Sequence, residues 1–111
     1  MPSKMYVIPI PPGNTGAIRA AFAEMEGARE QQCVDNRHVM GITREFVSLQ
    51  ETPQGDLLVA YLEGDDPDKA VERMAESGSE YARWIADTVF PLLGTDHLSA
   101  AQILADWRDG R

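Results

Sequence analysis

The chain holds one cysteine, Cys33, and two histidines, His38 and His97, in 111 residues. One cysteine excludes an internal disulfide and supplies no Cys pair for zinc. The two histidines lack a His-x-x-x-His spacing, so no metal-ligand pattern is present. Cations are also few: 10 Lys and Arg stand against 18 Asp and Glu, for a formal net charge of −8. The arginines are scattered among acids. This argues against nucleic acid as a partner, because phosphate neutralisation needs clustered cations. No apolar run approaches the roughly 20 residues that span a bilayer, which argues against a membrane role. The opening MPSKMYVIPIPPG has one Lys and an apolar run that Pro interrupts, so it reads as a strand rather than a signal peptide. There is no Gly-rich phosphate loop, internal repeat or linker. These absences point to one domain over residues 1–111, a cytoplasmic location, and no cofactor or metal.

What the chain does have is a hairpin. Gly41 to Glu63 reads as two apolar-rich runs joined by the turn Thr52-Pro53-Gln54-Gly55. Pro53 presets φ for the turn, and Gly55 accepts a positive φ. With Thr52–Gly55 as the loop, Glu51 faces Asp56 and the register follows. One face then carries the pairs Glu45/Leu62, Val47/Ala60 and Leu49/Leu58. The other carries Arg44/Glu63, Phe46/Tyr61, Ser48/Val59 and Gln50/Leu57. A slip of one residue exchanges the two faces. The first face is aliphatic and should lie under helices. The second combines aromatic and charged side chains, as the wall of a cleft or a subunit interface does.

The other segments fall around this hairpin. Met5–Ile10 reads as a first strand, ended by Pro9, Pro11 and Pro12. Ile18, Ala21, Phe22, Met25, Ala28 and Gln32 recur at three- and four-residue steps, which predicts one long helix from about Thr15 to about Val39. Its later part, Gln31–His38, is polar and is expected to project beyond the sheet. After the hairpin, Pro67–Glu76 reads as a helix. A second should run from about Ser79 to Phe90, with Ser77 as its cap. The tail from residue 95 to 111 is expected to be a short strand or extended segment, a possible fourth strand.

The order β, long α, β-hairpin, α–α, possible β predicts an α+β fold: a ferredoxin-like split βαβ antiparallel sheet with helices on one face. A hairpin apolar on both sides needs a second cover, which predicts a homodimer. Arg37-His38-Val39-Met40-Gly41-Ile42-Thr43-Arg44-Glu45, followed by TPQGD and LLVAYLEGDDP, resembles the dimeric α+β barrel superfamily of small bacterial proteins. That superfamily includes antibiotic-biosynthesis-type monooxygenases. Within it, the segments are most similar to an uncharacterised bacterial family. The resemblance extends to about Gly94 and implies the fold and the dimer. The superfamily also holds haem-degrading enzymes, isomerases, dehydratases and proteins without a known reaction.

His38 is a candidate general acid or base, since its ordinary pKa is near neutral. Glu45 is the second catalytic candidate. Arg44, Phe46, Tyr61, Glu63 and Trp84 are the candidate ligand-binding residues, with Arg44 as an anion-binding point. Two functions fit. One is a small-molecule-binding or stress-related homodimer without catalysis. The other is a cofactor-independent monooxygenase or isomerase acting on a small aromatic or polyketide-like substrate.

Overall fold

In the computed structural model, residues 2–95, 98–107 and 109 are described. Three strands form one antiparallel sheet: β1 (Ser3–Pro9), β2 (Ile42–Thr52) and β3 (Gly55–Gly64). Their order is β1-β3-β2, with β3 central and antiparallel to both neighbours. The two outer strands are therefore parallel to each other and joined through helices, which is the split βαβ arrangement. The α+β, ferredoxin-like class expected from the sequence is the one observed, with one sheet and a one-sided helical layer.

The hairpin register is also the expected one. Glu45 lies opposite Leu62, Val47 opposite Ala60 and Leu49 opposite Leu58. The Thr52 hydroxyl fixes the turn, donating to the Gly55 carbonyl at 2.6 Å and accepting from the Gln54 N–H at 3.2 Å. At the other end of the hairpin the register shifts by a bulge between Ile42 and Arg44.

The single long helix does not form. α1 (Thr15–Glu26) and α2 (Glu30–Met40) are separated at Gly27, whose backbone (φ −103°, ψ −102°) leaves the helical region. Glycine adopts this conformation without a Cβ clash. The Gly27 and Arg29 N–H groups turn back to carbonyls of Ala23 and Glu24, so the break costs few hydrogen bonds. Nor does the polar end project. α2 packs against α3, α4 and β2 and ends at Gly41 in the left-handed region.

A short 3-10 turn (Pro67–Lys69) leads into α3 (Ala70–Ser77), and Gly78 stops it. The next helix is capped by Ser79 rather than Ser77: the Ser79 hydroxyl accepts from the Ala82 N–H at 3.0 Å. Ser77 belongs to the end of α3, where its hydroxyl donates to the Met74 carbonyl. α4 (Glu80–Trp84) widens into a π-helical turn (Ile85–Val89) before α5 (Phe90–Leu93). Pro91 accounts for the widening. It has no N–H to donate, and its ring would crowd the carbonyl one turn earlier in a regular α-helix.

The helices cover one face of the sheet. Ile18, Leu58, Leu62 and Ala70 are buried between the two layers. On the uncovered face, Met5, Val7 and Phe46 are 36%, 44% and 54% exposed. The tail reaches the β1 edge, where a fourth ferredoxin-like strand would lie. It makes one bridge there, Ala100 with Tyr6, and the Ala101 N–H donates to the Met5 carbonyl. Residues 101–107 have no regular structure and are exposed.

Candidate functional site

A cavity of about 380 Å³ lies between the helices and the inner face of the sheet. Its apolar walls come from Ile18, Phe22 and Met25 of α1, from Val47, Leu58 and Ala60 of the hairpin, and from Ile85 and Val89 of the π turn. The π turn thus shapes the cavity directly, as such turns often do at sites.

Polar groups enter this apolar space from α1, through Arg19 and Glu26, and from α2 and β2. Cys33, Asn36, Arg37 and Met40 all line the cavity. Their spacing of three, four and seven residues puts them on one helical face. One turn after Arg37 the helix stops, and Gly41 alone connects it to β2. The two segments can run this close because residue 64 is glycine: a Cβ there would sit 2.2 Å from the Gly41 carbonyl oxygen. The bulge at Ile42/Arg44 then joins the end of α2 to a strand whose phase the hairpin turn sets, with Glu45 on the helix-covered face beside Val47 and Leu49. A tight turn and a bulge therefore deliver Arg37 and Glu45 to one cavity.

Glu45 is solvent-accessible at the cavity surface, yet protein atoms surround its carboxyl. Desolvation raises its pKa above the ordinary carboxylate value, and the Arg37 charge opposes that rise without cancelling it. No nitrogen of Arg37 lies within 4 Å of a carboxylate oxygen among the described residues. Tyr81, buried in α4, places its hydroxyl 3.3 Å from the Cys33 sulfur. Burial raises the Tyr81 pKa strongly, the Cys33 hydrogen bond and the nearby Glu45 add to this, and Arg37 opposes it. Tyr81 is thus a neutral hydroxyl at all ordinary pH. Asn36 is 8% exposed, and its amide N–H donates to the Met74 sulfur at 3.5 Å. Its carbonyl oxygen has no hydrogen-bond partner among the described residues.

The structure separates the residues that the sequence singled out. Glu45 lines the cavity. His38 follows Arg37 on α2 but is exposed and does not line it. Arg44, Phe46, Tyr61 and Glu63 stand together on the uncovered face of the sheet. There the Arg44 guanidinium lies 5.9 Å from the Phe46 ring centre, and the Tyr61 hydroxyl donates to Glu63 at 2.7 Å. Arg44 and Glu63 are register partners but form no ion pair. Trp84 is half-buried beside Tyr81, with the Arg29 guanidinium 4.3 Å from its ring. Among the described residues no cluster of His, Cys, Asp and Glu could hold a metal ion, and His97 lies outside them. No described helix is long and apolar enough to cross a membrane.

Sequence reasoning missed Cys33, Asn36 and Arg37. The signal was their helical spacing. That spacing is hard to recognise as a buried face because Asn36 and Arg37 interrupt its apolar residues, Cys33 and Met40.

A split βαβ sheet with one helical layer and a cavity beneath it defines an α+β protein of the ferredoxin-like fold class. The fold is similar to that in a solved structure of tetracenomycin F2 cyclase from Streptomyces glaucescens, a type II polyketide cyclase. The TM-score is 0.53 and the identity 18%, over 99% of this chain and 100% of the cyclase chain. At that identity the likeness concerns the fold. No protein-family model matches the chain. No curated protein matches it in sequence either.

Proposed function

We propose that the protein binds a small, largely apolar organic molecule in the cavity under α1 and α2, and that it does so as a homodimer. One observation carries the first part: a space of about 380 Å³ with aliphatic and aromatic walls and a few convergent polar groups. That size and lining suit a ring-sized organic ligand. The polyketide cyclase of similar fold fits an aromatic or polyketide-like ligand. A thermal-shift panel of small aromatic ketones, phenols and acids tests this. A binder should raise the melting temperature of the wild type, and Ala60→Phe, which fills the cavity, should remove the shift. A panel without any shift rejects the reading.

The homodimer rests on the uncovered sheet face, with Met5, Val7 and Phe46 exposed. Two such faces stacked together would bury them and would enclose Arg44, Tyr61 and Glu63, where a second ligand-contacting surface could form. Light scattering at micromolar concentration should give twice the chain mass. A monomeric mass rejects the dimer.

Glu45 supports a second reading, a cofactor-independent enzyme acting on the same kind of molecule. A cavity carboxylate with a raised pKa is a stronger base than an exposed one. His38, outside the cavity, is less well placed for this role. Turnover of a bound compound separates the enzyme from the binding protein, and oxygen uptake separates a monooxygenase from an isomerase.

A further inference from the structure

Arg37 is a half-buried cation that lines an apolar cavity in a protein with a net charge of −8. Eighteen acidic residues are available to it, yet its guanidinium makes no ion pair or side-chain hydrogen bond among the described residues. A guanidinium carries five donors in a rigid planar fork, and half-buried it gains most from an oxygen acceptor. Glu45 and Glu26, the carboxylates that share its cavity, do not close onto it. A base and an unpaired cation thus line one apolar space, near enough for the Arg37 charge to act on Glu45. A bound carboxylate would satisfy Arg37 but would meet repulsion from Glu45. A neutral carbonyl compound satisfies Arg37 and leaves Glu45 free to act.

We infer that Arg37 is the oxygen-binding subsite of the cavity, and that the ligand is an enolisable ketone whose α-carbon faces Glu45. This rests on the small-molecule reading above and names its substrate class. The step is a proton transfer. The Glu45 carboxylate takes a proton from the carbon next to the carbonyl, so the C–H bond breaks and a carboxyl O–H forms. The released electron pair makes a carbon–carbon double bond, and the carbonyl π pair moves onto oxygen as an enolate. The negative charge moves from Glu45 to an oxygen beside Arg37, so total charge is unchanged and no oxidant or reductant is required. Arg37 interacts more strongly with the enolate than with the ketone, which is what lowers the barrier. Returning the proton from Glu45 regenerates the ketone. Because Glu45 is solvent-accessible, its proton exchanges with water in between.

The test uses β-tetralone, a neutral bicyclic ketone, in deuterated buffer, with binding and the loss of its α-proton signal followed by proton NMR. The wild type should exchange the α-proton faster than buffer, with saturation in ketone. Glu45→Gln should return the rate to that of buffer while still binding. Arg37→Gln should slow saturated exchange by about a hundredfold and change the dissociation constant much less. Arg37→Lys should recover part of that loss, and melting temperatures report whether each variant folds. Ketone that binds the wild type but exchanges no faster than in buffer overturns the inference and leaves the binding reading standing. Exchange unchanged in both folded Arg37 variants also overturns it. A wild type that binds neither this ketone nor any compound of the aromatic panel removes both readings together.

Discussion

Ile18 provides the sharpest test of how the helical layer meets the sheet. It is 2% exposed, sits on α1 and lines the cavity floor. Ile18→Ala deletes three buried carbons. At about 0.8 kcal/mol for each, the lost transfer free energy is about 2.4 kcal/mol. The removed volume adds a further penalty, because a site that already borders open space cannot collapse around the gap. Measured Ile→Ala changes run from about 2 to 5 kcal/mol, and this site should fall near about 4 kcal/mol. The entropy of unfolding, about 2.1 cal/mol/K per residue, then predicts a melting temperature lower by roughly 15–20 °C. Urea unfolding should show a midpoint lower by about 2 M for a slope near 2 kcal/mol/M. Both proteins must be compared at one concentration, since dimerisation makes apparent stability depend on it. A loss under about 1 kcal/mol would refute the reasoning, because it would mean that Ile18 does not pack between α1 and the sheet.

Three further outcomes are expected. Folded Glu45 holds its proton above the ordinary value of 4.5, because desolvation by the protein around its carboxyl disfavours the charged form more than Arg37 favours it. The native state then keeps a proton that the unfolded chain releases, so stability falls as pH rises from that value through the raised one. Thermal melts from about pH 4 to about pH 8 should therefore show Glu45→Gln gaining on the wild type as pH rises, and a gain confined to low pH would contradict this. Asn36→Leu removes a buried carbonyl that has no partner among the described residues, so denaturant unfolding should show unchanged or higher stability. A loss beyond about 1.5 kcal/mol would mean that the amide is satisfied in solution. Ser79→Ala removes the cap of α4 and should cost about 1 kcal/mol by denaturant unfolding, whereas Ser77→Ala should cost less. Equal losses would contradict the assignment of the cap.

Much of the fold was legible because its signals are local. Pro53 and Gly55 position a turn, the flanking residues alternate, and together these set which residue of β2 faces which of β3. Apolar spacing identified α1, and the one-sided supply of helices implied an uncovered sheet face. The helix break was harder to foresee. A glycine inside a helical pattern is usually a modest penalty of up to about 1 kcal/mol. At Gly27 packing decided otherwise, because turning the chain lets α2 lie against α3, α4 and β2.

The site was legible only in pieces. Sequence alone determined that the inner face of the hairpin is aliphatic, that Glu45 shares that face, and that Arg37 lies one turn from the end of a helix. Each follows from period-two or period-3.6 geometry within a single element. Only the tertiary structure decided that these pieces meet. The break at Gly27 redirects α2, the single residue Gly41 and the close approach at Gly64 fix its distance from the sheet, and the bulge between Ile42 and Arg44 joins the end of α2 to a strand whose phase the turn has already set. A cavity is the space that packed elements leave between them, so it depends on contacts between residues distant in the chain, which no periodicity within one element records.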